Sequence, residues 1–88
     1  MIFGTRPEAI KMAPLFNELK NKKNLLDVKI CITAQHRHLL DQVIKFFNIK
    51  VDFDLNIMKE SQELSNLTSS IILKVTKVLK TYKPDLVL

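Results

Sequence analysis

The residues with the clearest chemical potential stand near the start of the chain, in Gly4-Thr5-Arg6-Pro7-Glu8. A glycine that follows the apolar residues 1–3 permits a tight turn and a close backbone approach. Pro7 suits the first turn of a helix, where its missing N–H would be unpaired anyway, and Glu8 complements the positive end of the helix dipole. Arg6 offers a planar fork of donors matched to phosphate oxygens, and a helix N-terminus adds free backbone N–H groups aimed at the same place. The combination favours an anion beside Arg6, and a diphosphate is the natural guest. The same spacing also describes a plain strand-to-helix turn with a surface arginine, because neither G-x-G-x-x-G nor a Walker A pattern is present. Lys11, about one turn into the helix, either faces the same mouth or is a solvated helix lysine.

A second polar cluster, Thr33-Ala34-Gln35-His36-Arg37-His38, follows an apolar β-branched run. Gln35 and His36 carry hydrogen-bonding planes that can orient a sugar or a base, and His36 can hold a proton near neutral pH. The plain alternative is a helix start dressed in polar residues, without a carboxylate to make a catalytic pair. His36 and His38 have no nearby cysteine or repeated carboxylate and form no recognisable zinc spacing, so no metal is expected.

Both clusters require a scaffold that opens them on one edge. Residues 1–3, 27–34 and 84–88 are short apolar or β-branched runs and predict three strands. Between them lie helical patterns at 8–21, at 37–47 and at about 62–82, the last with Leu64, Leu67, Ile71, Val75 and Val78 at three- and four-residue steps. Ser61 is the expected N-cap of that third helix. Pro14 predicts a bend near Ile10. The stretch 48–59 alternates Val51, Phe53 and Leu55, which fits a short edge strand or an extended connection. Strand and helix alternating with nearly continuous apolar strands describes an α/β fold: a doubly wound, Rossmann-like parallel sheet. In such a sheet, ligands bind beyond the carboxyl ends of the strands, where both polar clusters fall.

The bulk properties exclude several classes. With 88 residues the chain holds one core and no second domain, and 47% hydrophobic with 26% charged residues is an ordinary globular balance. The net charge of +5 invites a polyanion, but the lysines scatter over expected wet helix faces without interleaved aromatics, so no nucleic acid partner is expected. Cys31 lies inside an apolar run and reads as a small buried thiol. A single cysteine, no signal peptide and no membrane-length apolar stretch make a reducing cytoplasm the expected compartment and a membrane an unexpected partner.

Four blocks then act together: GTRPEAIKMAPL at residues 4–15, TAQHRHLLDQV at 33–43, DFDLNIM at 52–58 and KPDLVL at 83–88. In register across the whole chain, they closely resemble the non-hydrolysing UDP-N-acetylglucosamine 2-epimerases. The resemblance covers roughly the N-terminal quarter of such an enzyme, so residues 1–88 are expected to be part of the N-terminal Rossmann-like domain of a two-domain GT-B fold, with the rest of that domain and the C-terminal domain lying outside. It implies an isomerase that interconverts UDP-GlcNAc and UDP-ManNAc for amino-sugar and cell-envelope polysaccharide biosynthesis. UDP is eliminated across C1 and C2 to give a 2-acetamidoglucal, then added back on the other face, with no nicotinamide, metal or other cofactor. The resemblance also implies a homodimer.

Residue by residue, the resemblance assigns Arg6, Lys11 and His36 to substrate binding and Gln35 to a region where bacterial members also bind UDP-GlcNAc as an allosteric activator. His38 and Ser61 stand where activator-responsive members carry glutamine and arginine, a departure at that regulatory region. The acidic residues that transfer protons in the family follow later than Leu88, so no catalytic residue is expected in this stretch and the stretch alone is expected to be inactive. The competing readings are a hydrolysing epimerase, a GT-B glycosyltransferase and a non-catalytic module that binds a UDP-sugar or another anion. Proline and alanine in GTRPEA argue against the first, and the apolar Val87-Leu88 argues against a free-standing module.

Overall fold

In the computed structural model, which describes residues Met1–Leu88, the elements run β1 (Ile2–Phe3), α1 (Arg6–Lys20), β2 (Cys31–Ile32), α2 (Arg37–Phe46), β3 (Phe53–Asp54) and α3 (Leu64–Tyr82). The three strands form one parallel sheet in the order β1-β2-β3, with Ile2 beside Cys31, Phe3 beside Ile32, Cys31 beside Phe53 and Ile32 beside Asp54. Regular strand is shorter than the apolar runs suggest, yet pairing continues beyond it. Thr33 N–H donates to the Phe3 carbonyl at 3.0 Å, Gln35 N–H to the Gly4 carbonyl at 3.0 Å, and Ile57 N–H to the Thr33 carbonyl at 3.0 Å. The alternation at residues 51–55 is therefore an edge strand, β3.

Period-two alternation divides the sheet into two faces. Phe3, Ile30 and Ile32 join Ala9, Ala13 and Phe16 of α1 and Leu40 and Val43 of α2 in one buried cluster. Residues 9, 13 and 16 are spaced to share one side of α1, and small alanines there let the helix approach the strands closely. Ile30, Ile32 and Leu40 are the largest fully buried side chains of this face, and each contributes about 1.5–3 kcal/mol of apolar transfer. Cys31 points to the opposite side; it is buried, as its apolar surroundings predict, and burial pushes its thiol pKa up. On that side, α3 keeps Leu67, Ile71, Val75 and Val78 half-buried and has no fully buried residue. Tyr82 fastens its far end by donating to the Asp27 carbonyl at 3.0 Å, and Lys74 donates to the Leu55 carbonyl at 2.9 Å.

Three expectations change. Residues 84–88 form no regular strand; instead Ile2 N–H donates to the Leu88 carbonyl at 2.7 Å, which brings the chain after α3 to the edge of β1 that β2 leaves free. Ser61 is not the N-cap of α3, because its φ of 53° turns the backbone before the helix and Glu63 takes the cap position. Finally, α1 begins at Arg6 rather than Glu8, ends at Lys20 and includes Pro14.

Candidate functional site

The carboxyl ends of β1 and β2 bring the two polar clusters together. Gly4 is buried between them: a Cβ on it would lie 1.8 Å from Thr33 Oγ1 and 3.4 Å from Gln35 Cδ. Only a residue without a side chain lets the first turn lie flat against the second. On the other side of the junction, Ala34 is completely buried with φ 60°, a left-handed conformation that costs a residue with a Cβ roughly 1–2 kcal/mol. Backbone strain of this kind persists where the surroundings impose it. The paired Thr33 and Gln35 on either side supply that constraint.

The first turn is not the open anion cradle that its spacing suggests. The Glu8 carboxylate accepts the Gly4 N–H at 2.9 Å and the Thr5 N–H at 3.0 Å, so two backbone donors are already taken. These bonds, the one from Gly4 foremost, hold the Glu8 carboxyl below the usual carboxylate range, with the nearby Lys11 charge adding to the effect. Thr5 and Glu8 have capping-box spacing, Ser/Thr followed three residues later by Glu, and that pattern is the sequence signal that announces this role.

Arg37 is similarly engaged. Its guanidinium donates to Asp54 at 2.7 Å, Asn56 at 3.2 Å and Asp41 at 3.3 Å, and the bond to Asp54 chiefly raises its pKa above the ordinary arginine value. The Asp54 carboxylate also accepts the Asn56 N–H at 3.1 Å, closing the turn after β3. Arg37 thus ties the start of α2 to the end of β3. Within the sequence it is one more cation in a polar run, and nothing local marks partners 17 and 19 residues away.

By contrast, the side chains of Arg6, Lys11, Gln35 and His36 form no hydrogen bond or ion pair within the chain. Arg6 and Lys11 stand exposed on the first half of α1, His36 is exposed before α2, and Gln35 is half-buried against Gly4. The fold therefore leaves the four predicted ligand-facing side chains unengaged, whereas their charged neighbours Glu8 and Arg37 are committed to structure. A separate concavity lies elsewhere. It is a mostly apolar groove of about 550 Å³ bordered by Leu25, Leu26, Val78, Tyr82 and Leu86, and it contains none of the four. Three or more His, Cys, Asp or Glu side chains do not gather anywhere as a metal-binding group.

A family model for UDP-N-acetylglucosamine 2-epimerase matches residues 17–88. This chain belongs to that family. It is similar to UDP-N-acetylglucosamine 2-epimerase of Neisseria meningitidis serogroup A, at 59% identity over 99% of the chain and 23% of the relative. With the Bacillus subtilis UDP-N-acetylglucosamine 2-epimerase the identity is 56%, again over 99% of the chain and 23% of the relative. This family member thus spans less than a quarter of the length of the relatives it matches. Its fold superposes on a crystal structure of the N. meningitidis epimerase bound to UDP-GlcNAc with a TM-score of 0.87 at 58% identity, covering 96% of this chain and 22% of that one. An S. aureus MnaA–UDP co-structure gives a TM-score of 0.88 at 51% identity, covering 96% of this chain and 21% of that one. The parallel sheet with its helices corresponds to the N-terminal part of these GT-B-like epimerase structures.

Proposed function

We propose that residues 1–88 supply part of the UDP-sugar site of an enzyme that interconverts UDP-GlcNAc and UDP-ManNAc. The observation that carries this reading is the set of unengaged side chains, Arg6, Lys11, Gln35 and His36, around the junction of the turns after β1 and β2. Two solved relatives, one bound to UDP-GlcNAc and one to UDP, support the ligand class. In the reaction, a base removes the C2 proton while the C1–O bond to UDP breaks, leaving a 2-acetamidoglucal. UDP then adds back at C1 as a proton arrives at C2 from the opposite face. Arg6 and Lys11 bind the diphosphate and stabilise the charge that grows on departing UDP. His36 orients the sugar, and Gln35 belongs to a second, regulatory UDP-GlcNAc site. The groups that move the C2 proton lie outside these residues.

The cell-envelope amino-sugar role, the cytoplasmic location and the homodimer belong to the same proposal. No helix is long and apolar enough to cross a membrane. Proton NMR of UDP-GlcNAc incubated with the full-length protein in D₂O tests the reading directly. Expected are UDP-ManNAc and deuterium at C2, with no free ManNAc. Accumulation of free ManNAc and UDP would instead identify a hydrolysing enzyme. Arg6→Ala in that protein is expected to lower kcat/KM about 100-fold, as loss of a donor to developing charge does elsewhere.

A further inference from the structure

The same turn contains a carboxylate placed where an incoming anion would be expected to sit. Glu8 accepts both the Gly4 N–H and the Thr5 N–H, at 2.9 and 3.0 Å, and these residues immediately precede Arg6. An anion arriving at this turn therefore does not find the Gly4 and Thr5 amides free, and recognition passes to the side chains of Arg6 and Lys11. Holding two successive amides also fixes the path of the backbone that aims Arg6, at no cost when the ligand binds. A flexible turn would have to be ordered at that moment instead.

We propose that Glu8 is a positioning residue for diphosphate binding: an internal anion that locks the Gly4-Thr5 turn so that Arg6 is presented ready-made to the UDP-sugar. The inference rests on the diphosphate reading of the site. It differs from the assignment of Arg6 and Lys11 because Glu8 would act without touching the ligand. Charge alone predicts the reverse effect, since a carboxylate near a diphosphate repels it. Exposed charges in water are well screened, however, which limits that repulsion to a factor of a few in affinity. Loss of the lock leaves two amides without their partner and Arg6 unaimed, and is expected to dominate.

The test measures UDP binding to the full-length protein by calorimetry, which does not depend on turnover. Glu8→Ala is expected to raise the Kd for UDP about tenfold, the size of one unmade charge-assisted hydrogen bond. Glu8→Gln, which keeps the shape and one accepting oxygen, is expected to fall between Glu8→Ala and the wild type. Added acetate should restore part of the affinity of Glu8→Ala by occupying the vacated place, and should leave the wild type unchanged. An unchanged or tighter Kd in either variant overturns the proposal, and Glu8→Gln alone decides the matter if Glu8→Ala does not fold. Wild-type protein that binds UDP but does not epimerise would sink the proposed activity while leaving the Glu8 result valid. Wild-type protein that does not bind UDP would overturn both.

Discussion

In the turn after β1 the stabilising contacts are local, with Glu8 reaching back three and four residues to Thr5 and Gly4. In the turn after β2 the shorter contacts are distant, with Arg37 reaching 17 and 19 residues forward to Asp54 and Asn56 beside a longer, local bond to Asp41. The first device forms with the first turn of α1 and needs no tertiary structure. The second exists only once β3 has paired with β2. The two turns meet at a single point, the contact of Gly4 with Thr33 and Gln35. The site thus joins a locally folded half to a half that depends on the sheet, and damage to β3 should reach the second half before the first.

The strongest way to break this arrangement is at the meeting point. Gly4→Ala would place a methyl 1.8 Å from Thr33 Oγ1 and 3.2 Å from its Cβ, inside buried structure. One turn must then move off the other, at a cost of about 2 kcal/mol by analogy with overpacked cores. Removing the hydroxyl with Thr33→Ala should relieve the closest contact, so the double variant is expected to recover a large part of the loss. Thermal unfolding of the full-length protein and its three variants checks this. A neutral Gly4→Ala would show that the turns are not in register through this contact.

Arg37 offers the next largest effect. Its side chain is 38% exposed and that of Asp54 41%, so their pair is partly screened even at 2.7 Å. Arg37→Met is expected to lower stability by about 1 kcal/mol, with a coupling to Asp54→Asn of about half to one kcal/mol in a double-mutant cycle. High salt should shrink that coupling. Zero coupling would mean that the second turn is held by its backbone alone. Ala34→Gly sharpens the same question on a smaller scale. Relief at φ 60° is offset by a more flexible unfolded chain and a lost buried methyl, so the net change should stay within about 1 kcal/mol. A clear stabilisation in thermal unfolding would show that strain at Ala34 outweighs both.

How much of this could be read from the sequence follows the same division. Apolar runs and helical spacing are local properties, and they announced the α/β order, the buried Cys31 and the edge strand at Phe53–Asp54 as one of two options. Arg6, Lys11, Gln35 and His36 stood out because glycine, proline and a polar cluster after apolar runs mark the carboxyl ends of strands. The engagement of Arg37 with Asp54 was hidden, since it depends on which strands become neighbours. Glu8 was visible in principle through the spacing from Thr5, but an acidic residue at a helix start is equally explained by the dipole, which says nothing of two specific amides. Residues 84–88 have strand composition, and it is the Leu88 carbonyl that meets β1, accepting the Ile2 N–H.

The gentlest probe of the comparison is pH, because the first turn relies on a carboxylate whose pKa is lowered by backbone donors. A depressed folded value means that Glu8 stabilises the protein fully above the unfolded carboxylate pKa of about 4.3. That contribution fades as pH falls through the lower, folded value. Arg37 remains charged over the whole range. Subtracting the melting temperature of Glu8→Gln from that of the wild type at each pH cancels the other carboxylates, which both proteins share. The difference is expected to be positive and flat above about pH 5, then to decline toward zero in more acid solution. Because Glu8 is largely exposed, a shift of only a few degrees at most is expected. A difference that does not change with pH would show that the turn depends on the shape of the Glu8 side chain and not on its charge, and the local half of the site would then have no ionic component at all.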